Sequence, residues 1–130
     1  MASSLAKHRY LTLVATAGAM DSLSGVNEFL RSKALAELGE VGYGKLAPVV
    51  RFFDAATKTC VLRVDRDSAR HVPRLLRNAA RVVATSGSLR ACRTRALAVL
   101  RERSAAGPRR DDRALERQEA ALLRLSSHGS

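Results

Sequence analysis

The order in which strand-like and helical patterns alternate along the chain constrains its fold more than any other feature. Runs rich in β-branched and apolar residues predict strands, and apolar residues repeated at helical spacing predict helices. The predicted elements are a strand over 10–16, a helix over 22–38, a hairpin of strands over 46–53 and 58–64, a helix from 68, a strand over 82–85, and helices over 88–103 and 111–125.

The first six elements have the order of the split βαβ arrangement, in which an antiparallel sheet packs on helices. We therefore predict an α+β, ferredoxin-like fold (βαββαβ) with additional C-terminal helices. The 130 residues suffice for one domain, which we place at 7–104, between a flexible leader over 1–6 and a C-terminal helix and tail over 105–130. Two cysteines and the absence of a long apolar run predict neither a disulfide framework nor a membrane span.

Local signals set several expected boundaries. Ser22 or Ser24 can cap the first helix, and three glycines beyond its expected end (Gly39, Gly42 and Gly44) predict a flexible connection. Pro48 has no N–H to donate, so we expect it at a strand start or at a sheet edge.

The charge of the chain is strongly basic and unevenly distributed. Lysine and arginine total 23 against 12 acidic residues, which gives a formal net charge of +11, and nineteen of the cations are arginine. Residues 68–101 hold eight arginines and no acidic residue. A basic block is the electrostatic signature of a nucleic-acid-binding protein. The alternative is a GC-rich genome, which favours arginine codons whatever the function.

Four arginines in the predicted second helix recur at helical spacing. If Ser68 caps that helix, Pro73 lies just past its first turn, so the helix kinks there or begins later. At about 100° per residue the four arginines fall in one stripe, opposite a predicted apolar face of Val72, Leu75, Leu76 and Ala79. Like charges at this spacing repel one another, which suggests a partner that supplies negative charge. A solvated helix face remains the alternative. The residues of the stripe are Arg70, Arg74, Arg77 and Arg81.

A second basic feature is the turn over residues 86–90. There a strand runs through Gly87 into a helix that Ser88 can cap, so free N–H groups and Arg90 would face an anion together. Arg93 falls within the apolar arc of that helix, so its charge must be paired or must reach a partner. An ordinary capped helix is the alternative interpretation.

A third basic feature opens the first strand. Lys7, His8, Arg9 and Tyr10 can contact a phosphate backbone or stack on a base. The strand over 59–66 has no aromatic residue, so base stacking on an open sheet is not the expected binding mode.

No constellation of residues indicates catalysis, a metal or a cofactor. His8, His71 and His128 are scattered, and Cys60 and Cys92 lie far apart in sequence without zinc-ligand spacing. No nucleotide-binding glycine loop is present, because Gly42 and Gly44 precede a strand rather than a helix. We therefore predict a protein without an active site.

Five segments, taken in order, resemble the small accessory subunit of ribonuclease P and ribonuclease MRP, the Pop-five family with its archaeal counterparts. The opening Lys7-His-Arg-Tyr-Leu11 resembles the start of that family's first strand, and Ser86-Gly-Ser-Leu-Arg-Ala-Cys92 resembles its strand-to-helix turn. The segments between them are Gly42-Tyr-Gly44, Val50-Arg-Phe-Phe-Asp-Ala-Ala-Thr57 and Val61-Leu-Arg-Val-Asp-Arg66. Ser88 stands where the family commonly has threonine.

The resemblance implies a non-catalytic subunit of a ribozyme that removes the 5′ leader of precursor tRNA, and of the MRP particle that processes ribosomal RNA. It implies the catalytic RNA, a TIM-barrel-like protein and other particle proteins as partners, with no membrane and no cofactor. The implied location is the nucleus and nucleolus, or the cytoplasm for an archaeal member. The alternative is a basic adaptor that binds an acidic protein; a stand-alone enzyme lacks candidate residues. The predicted RNA-binding residues are Lys7, His8, Arg9, Tyr10, Ser88, Arg90, Arg93, Arg70, Arg74, Arg77 and Arg81.

Overall fold

Four antiparallel strands form one sheet in the order β2-β3-β1-β4. The computed structural model describes residues 7–16, 18–106 and 112–125, so the expected leader and tail lie outside the described residues. The strands are β1 (His8–Ala15), β2 (Val49–Asp54), β3 (Thr59–Asp65) and β4 (Ala80–Ser86), and the helices are α1 (Leu23–Leu46), α2 (Val72–Leu75), α3 (Leu89–Ala106) and α4 (Asp112–Leu123). The element order and the sheet confirm the predicted ferredoxin-like α+β fold.

The strand β1 lies inside the sheet, where it pairs with β3 on one side and with β4 on the other. Its residues from Tyr10 to Ala15 are all buried, which agrees with the prediction of a well-buried strand. Because successive side chains of a strand point to opposite faces, β1 contributes to two separate cores. Leu11 and Leu13 belong to one core, and Tyr10 belongs to the other.

The first core lies under α1 and α2. Val26, Leu30 and Ala34 recur at four-residue spacing on α1, so they form a buried stripe that packs on this face of the sheet. Val72, Leu75, Leu76 and Ala79 complete the core, as the apolar pattern of their segment predicts.

The helix α1 breaks at Gly39, next to its predicted end at about Leu38, and then resumes. Ser22 caps it by accepting a hydrogen bond from the N–H of Gly25 (3.0 Å). The helix continues to Leu46 across a kink at Gly39, whose φ of 73° suits glycine. A Cβ at Gly42 would lie 2.4 Å from the Cβ of Leu38. The expected flexible connection is therefore wrong: the backbone leaves helical geometry only at Gly39, and the helical turns that follow end at the buried Leu46.

The predicted second helix is not continuous from residue 68, and its α-helical part begins later, at Val72. The chain instead forms a 3₁₀ helix over Arg66–His71 and then the single turn of α2. The Asp65 side chain, rather than Ser68, caps the 3₁₀ helix by accepting the N–H of Asp67 (2.9 Å). Pro73 fits in the first turn of α2, where a missing N–H costs little. The segment ends at Asn78, which has a left-handed φ of 67°.

The second core lies between the opposite face of the sheet and the helices α3 and α4. Leu89, Cys92, Ala96 and Leu100 of α3 line it, together with Leu122 of α4. Both faces of the sheet are therefore covered by helices. No described helix is long and apolar enough to cross a membrane.

Polar contacts also attach α4 to the rest of the fold. The Gln118 side chain donates to the buried carboxylate of Asp54 (2.9 Å), which also accepts hydrogen bonds from the N–H and the hydroxyl of Thr57. Arg101 of α3 binds Glu119 through its Nε and an Oε at 2.9 Å.

Candidate nucleic-acid interface

Two of the three predicted basic features meet at one end of the sheet. Tyr10 pairs with Ser86 where β1 starts and β4 ends, so the turn after β4 lies beside the first residues of β1. A Cβ built on Gly87 would lie 3.6 Å from Nη1 of Arg9. Residues nearly eighty positions apart in sequence thus become neighbours.

The N-terminus of α3 adds backbone donors to this end of the sheet. Ser88 caps the helix by accepting the N–H of Ala91 (3.2 Å), as predicted. Arg90 is exposed in the first turn, where helix N–H groups lack intrahelical partners and favour negative charge. A shallow cavity of about 490 Å³ borders this turn, lined by Thr85, Ser86, Ser88, Arg90, Ala91, Thr94 and Arg95. We call Lys7, His8, Arg9, Ser88 and Arg90 the Arg9–Arg90 surface.

Two of the predicted site residues near this surface have partners inside the fold. Tyr10 is 5% exposed and packs in the second core, so its ring is not available to stack on a base. Arg93 donates from Nη1 to the carbonyl oxygen of Leu125, just beyond α4. The expectation that Arg93 is engaged is therefore correct, and its partner belongs to this chain.

Two arginines that are not among the predicted RNA-binding residues, Arg63 and Arg51, lie near His8. The pKa of His8 lies below its ordinary value of 6.5, because burial and then the positive charge of Arg63 disfavour the imidazolium. Asp65 opposes this shift, and Arg51 adds to it. Arg63 pairs with Tyr10 across the sheet, and the sequence alone does not reveal its proximity to His8, because that proximity depends on the strand register.

The four arginines of the predicted stripe do not share a helix face. Arg70 lies in the 3₁₀ helix and donates to the carbonyl oxygen of Asp67 (2.9 Å). Arg74 lies in α2, and its Nε is 3.7 Å from a carboxylate oxygen of Glu37. Arg77 follows in a turn, and Arg81 is part of β4. The stripe breaks up because the segment from 66 to 79 is not one helix.

The described residues show no arrangement that resembles a catalytic or metal site. None of their His, Cys, Asp and Glu side chains form a group of three or more that could hold a metal ion. Burial raises the pKa of the Cys60 thiol to about 12 and also raises that of Cys92, so neither is a reactive thiolate.

Comparison with known proteins shows that the sequence of this chain matches a protein family. The model of the Rpp14/Pop5 family matches residues 9–97, which run from the start of β1 into α3. The chain belongs to the Rpp14/Pop5 family. It is therefore a ribonuclease P protein subunit, a component of a ribonucleoprotein that acts in tRNA processing. A search of curated proteins finds no match. The Arg9–Arg90 surface lies within or next to the matched residues, whereas α4 lies beyond them.

Proposed function

We propose that this Rpp14/Pop5 protein is a non-catalytic, RNA-binding subunit that holds the catalytic RNA of ribonuclease P, and that it also serves the MRP particle. Its roles are then support of 5′-leader removal from precursor tRNA and, in MRP, of ribosomal RNA processing. The observation that carries the proposal is the position of Arg9 beside Gly87, in the turn that leads directly to Arg90 and the N-terminus of α3 at one end of the sheet.

The chemistry of this end suits a phosphodiester backbone. Arginine presents a planar fork of donors that matches phosphate oxygens, and a helix N-terminus adds N–H groups and a partial positive charge. Lys7 and His8 lie at the start of β1, at the same end of the sheet. Because both faces of the sheet are covered by helices, recognition by bases stacked on an open sheet does not fit this fold.

The proposed partners are the catalytic RNA and the protein subunits of the same particle, among them a TIM-barrel-like protein. The proposed location is the nucleus and nucleolus, or the cytoplasm for an archaeal source. These assignments follow from the family resemblance.

The test compares Arg90→Ala with wild type in binding to ribonuclease P RNA. We expect affinity to fall by about 1–3 kcal/mol, the scale of a hydrogen bond to a charged group, while thermal stability stays unchanged because Arg90 is exposed. Arg31→Ala is the matched control, since Arg31 is exposed on α1 and pairs with Glu28. If Arg90→Ala binds the RNA with unchanged affinity, the turn before α3 is an ordinary capped helix start and not an RNA-binding site. Loss of protein binding alone would favour the adaptor alternative.

A further inference from the structure

A second basic site lies at the opposite end of β4 from the Arg9–Arg90 surface. A cleft of about 570 Å³ opens between α1 and α2, lined by Lys33, Glu37, Arg74, Leu75, Arg77 and Asn78. We call it the Lys33–Arg77 cleft. Three of its lining side chains are cationic, and its carboxylate, Glu37, lies beside Arg74. The cleft therefore has a net positive charge at neutral pH.

The cations of the cleft stand on a rigid base. Leu75 and Leu76 are buried beneath them, and the turn that carries Arg77 is closed by the N–H of Ala79 donating to the carbonyl oxygen of Leu76 (2.9 Å). Lys33 is positioned as well, because its Nζ lies 5.8 Å from the centre of the Phe29 ring. Like charges held at fixed positions repel one another, and an anion in the cleft relieves that repulsion.

The two basic sites are well separated. The Lys33–Arg77 cleft borders the start of β4, where the N–H of Thr16 donates to the carbonyl oxygen of Ala79 (2.8 Å). The Arg9–Arg90 surface borders the end of β4, at Ser86. Seven strand residues lie between them, which corresponds to about 20 Å. One phosphate group cannot reach both sites.

We propose that the Lys33–Arg77 cleft binds the phosphate backbone of a second RNA segment, so that the protein bridges two segments of a folded RNA. The inference rests on the proposed RNA-binding function. RNA fits the cleft better than a protein partner does, because the lining holds no aromatic side chain and its one apolar residue, Leu75, is buried. Protein interfaces draw much of their binding energy from buried tryptophan, tyrosine and arginine side chains, and the exposed cations of this cleft have no aromatic neighbour in its lining for that role.

The experiment compares two charge-neutralising double variants in binding to full-length ribonuclease P RNA. Lys33→Gln with Arg77→Gln alters the cleft, and Arg9→Gln with Arg90→Gln alters the first surface. Arg31→Gln with Arg124→Gln removes the same charge from exposed positions outside both sites. We expect the cleft variant to make the log–log salt slope shallower by about 1.4–1.8, as for two lost phosphate contacts. Hydroxyl-radical footprinting should show loss of protection in one RNA segment.

Several results separate this inference from the function on which it rests. If the cleft variant keeps the wild-type slope and footprint while the Arg9/Arg90 variant loses affinity, the bridge is wrong and the proposed function stands. Loss of the same protected segment in both variants would mean a single binding region and would also overturn the bridge.

Unchanged RNA binding of the cleft variant, together with loss of its assembly with other proteins, would assign the cleft to an acidic protein. A wild-type slope near zero would overturn both proposals. Lys33→Arg with Arg77→Lys keeps the charge and should retain both slope and footprint.

Discussion

The segment from 66 to 79 and the start of α3 are both rich in arginine and free of acidic residues beyond Asp67, yet they fold differently. The start of α3 belongs to an eighteen-residue helix with a serine cap and buried residues at helical spacing. The segment from 66 to 79 has a 3₁₀ helix, one turn of α-helix and a left-handed residue. This difference shows that buried apolar residues and helix caps determine the backbone conformation, and that the backbone then determines where the arginine side chains lie. The spacing of the charges in the sequence does not.

This difference has consequences for binding. Arg90 stands where helix N–H groups add to its own charge, whereas Arg74 of the Lys33–Arg77 cleft lies beside the carboxylate of Glu37. We therefore expect the first surface to bind phosphate more strongly per arginine than the Lys33–Arg77 cleft does.

The largest expected effect is on the free energy of unfolding, through the burial of Leu76 in the segment from 66 to 79. Leu76 is fully buried and ends α2, so Leu76→Ala should lower the free energy of unfolding by about 2–5 kcal/mol through lost burial and a cavity. Chemical denaturation measures this change. Arg77→Ala, at the exposed neighbouring position, should change stability by less than about 0.5 kcal/mol. Equal effects of the two substitutions would show that burial does not fix this segment.

A smaller effect distinguishes the two serines that can be read as helix caps. Ser88→Ala removes the acceptor of the Ala91 N–H and should cost about 1 kcal/mol of stability. Ser68→Ala should cost less than about 0.5 kcal/mol, because Asp65 caps that segment. Thermal or chemical denaturation of both variants gives the comparison, and a larger loss at Ser68 would reverse our assignment of the caps.

The smallest effect is the pH dependence that His8 contributes. Its pKa is lowered in the folded protein, so the unfolded chain binds the proton more readily just below pH 6.5. Stability from this group is therefore present above its ordinary pKa and is lost as the pH falls through that range. Between about pH 7.5 and about pH 5.5, His8→Gln should lose less stability than wild type does. An equal loss would mean that His8 does not contribute.

Local patterns predict most of this fold. Two strand-like apolar runs joined by a short polar link locate the β2–β3 hairpin, and Ser88 locates the start of α3. Such features depend on residues close in sequence, so they can be recognised without tertiary information. The break in α1 near Leu38 follows from its glycines, but the helical turns after Gly39 could not be predicted, because three glycines oppose a helix that burial of Leu46 stabilises.

The candidate site was predictable in its parts but not in its assembly. The basic start of β1 and the turn before α3 each stand out in the sequence. Their contact depends on the pairing of Tyr10 with Ser86, which is a property of the folded sheet. The partner of Arg93 depends on where α4 ends, and the proximity of Arg63 to His8 depends on strand register. Charge spacing alone also suggested a helical stripe that the backbone does not form.

The most direct test of the central claim is the salt dependence of RNA binding by wild type and by Arg9→Gln with Arg90→Gln. Both side chains lie at one end of the sheet. If they neutralise phosphates there, the log–log slope should become shallower by about 1.4–1.8, while Arg31→Gln with Arg124→Gln keeps the wild-type slope. A wild-type slope in the Arg9/Arg90 variant, with unchanged affinity, would contradict the assignment of this surface to RNA.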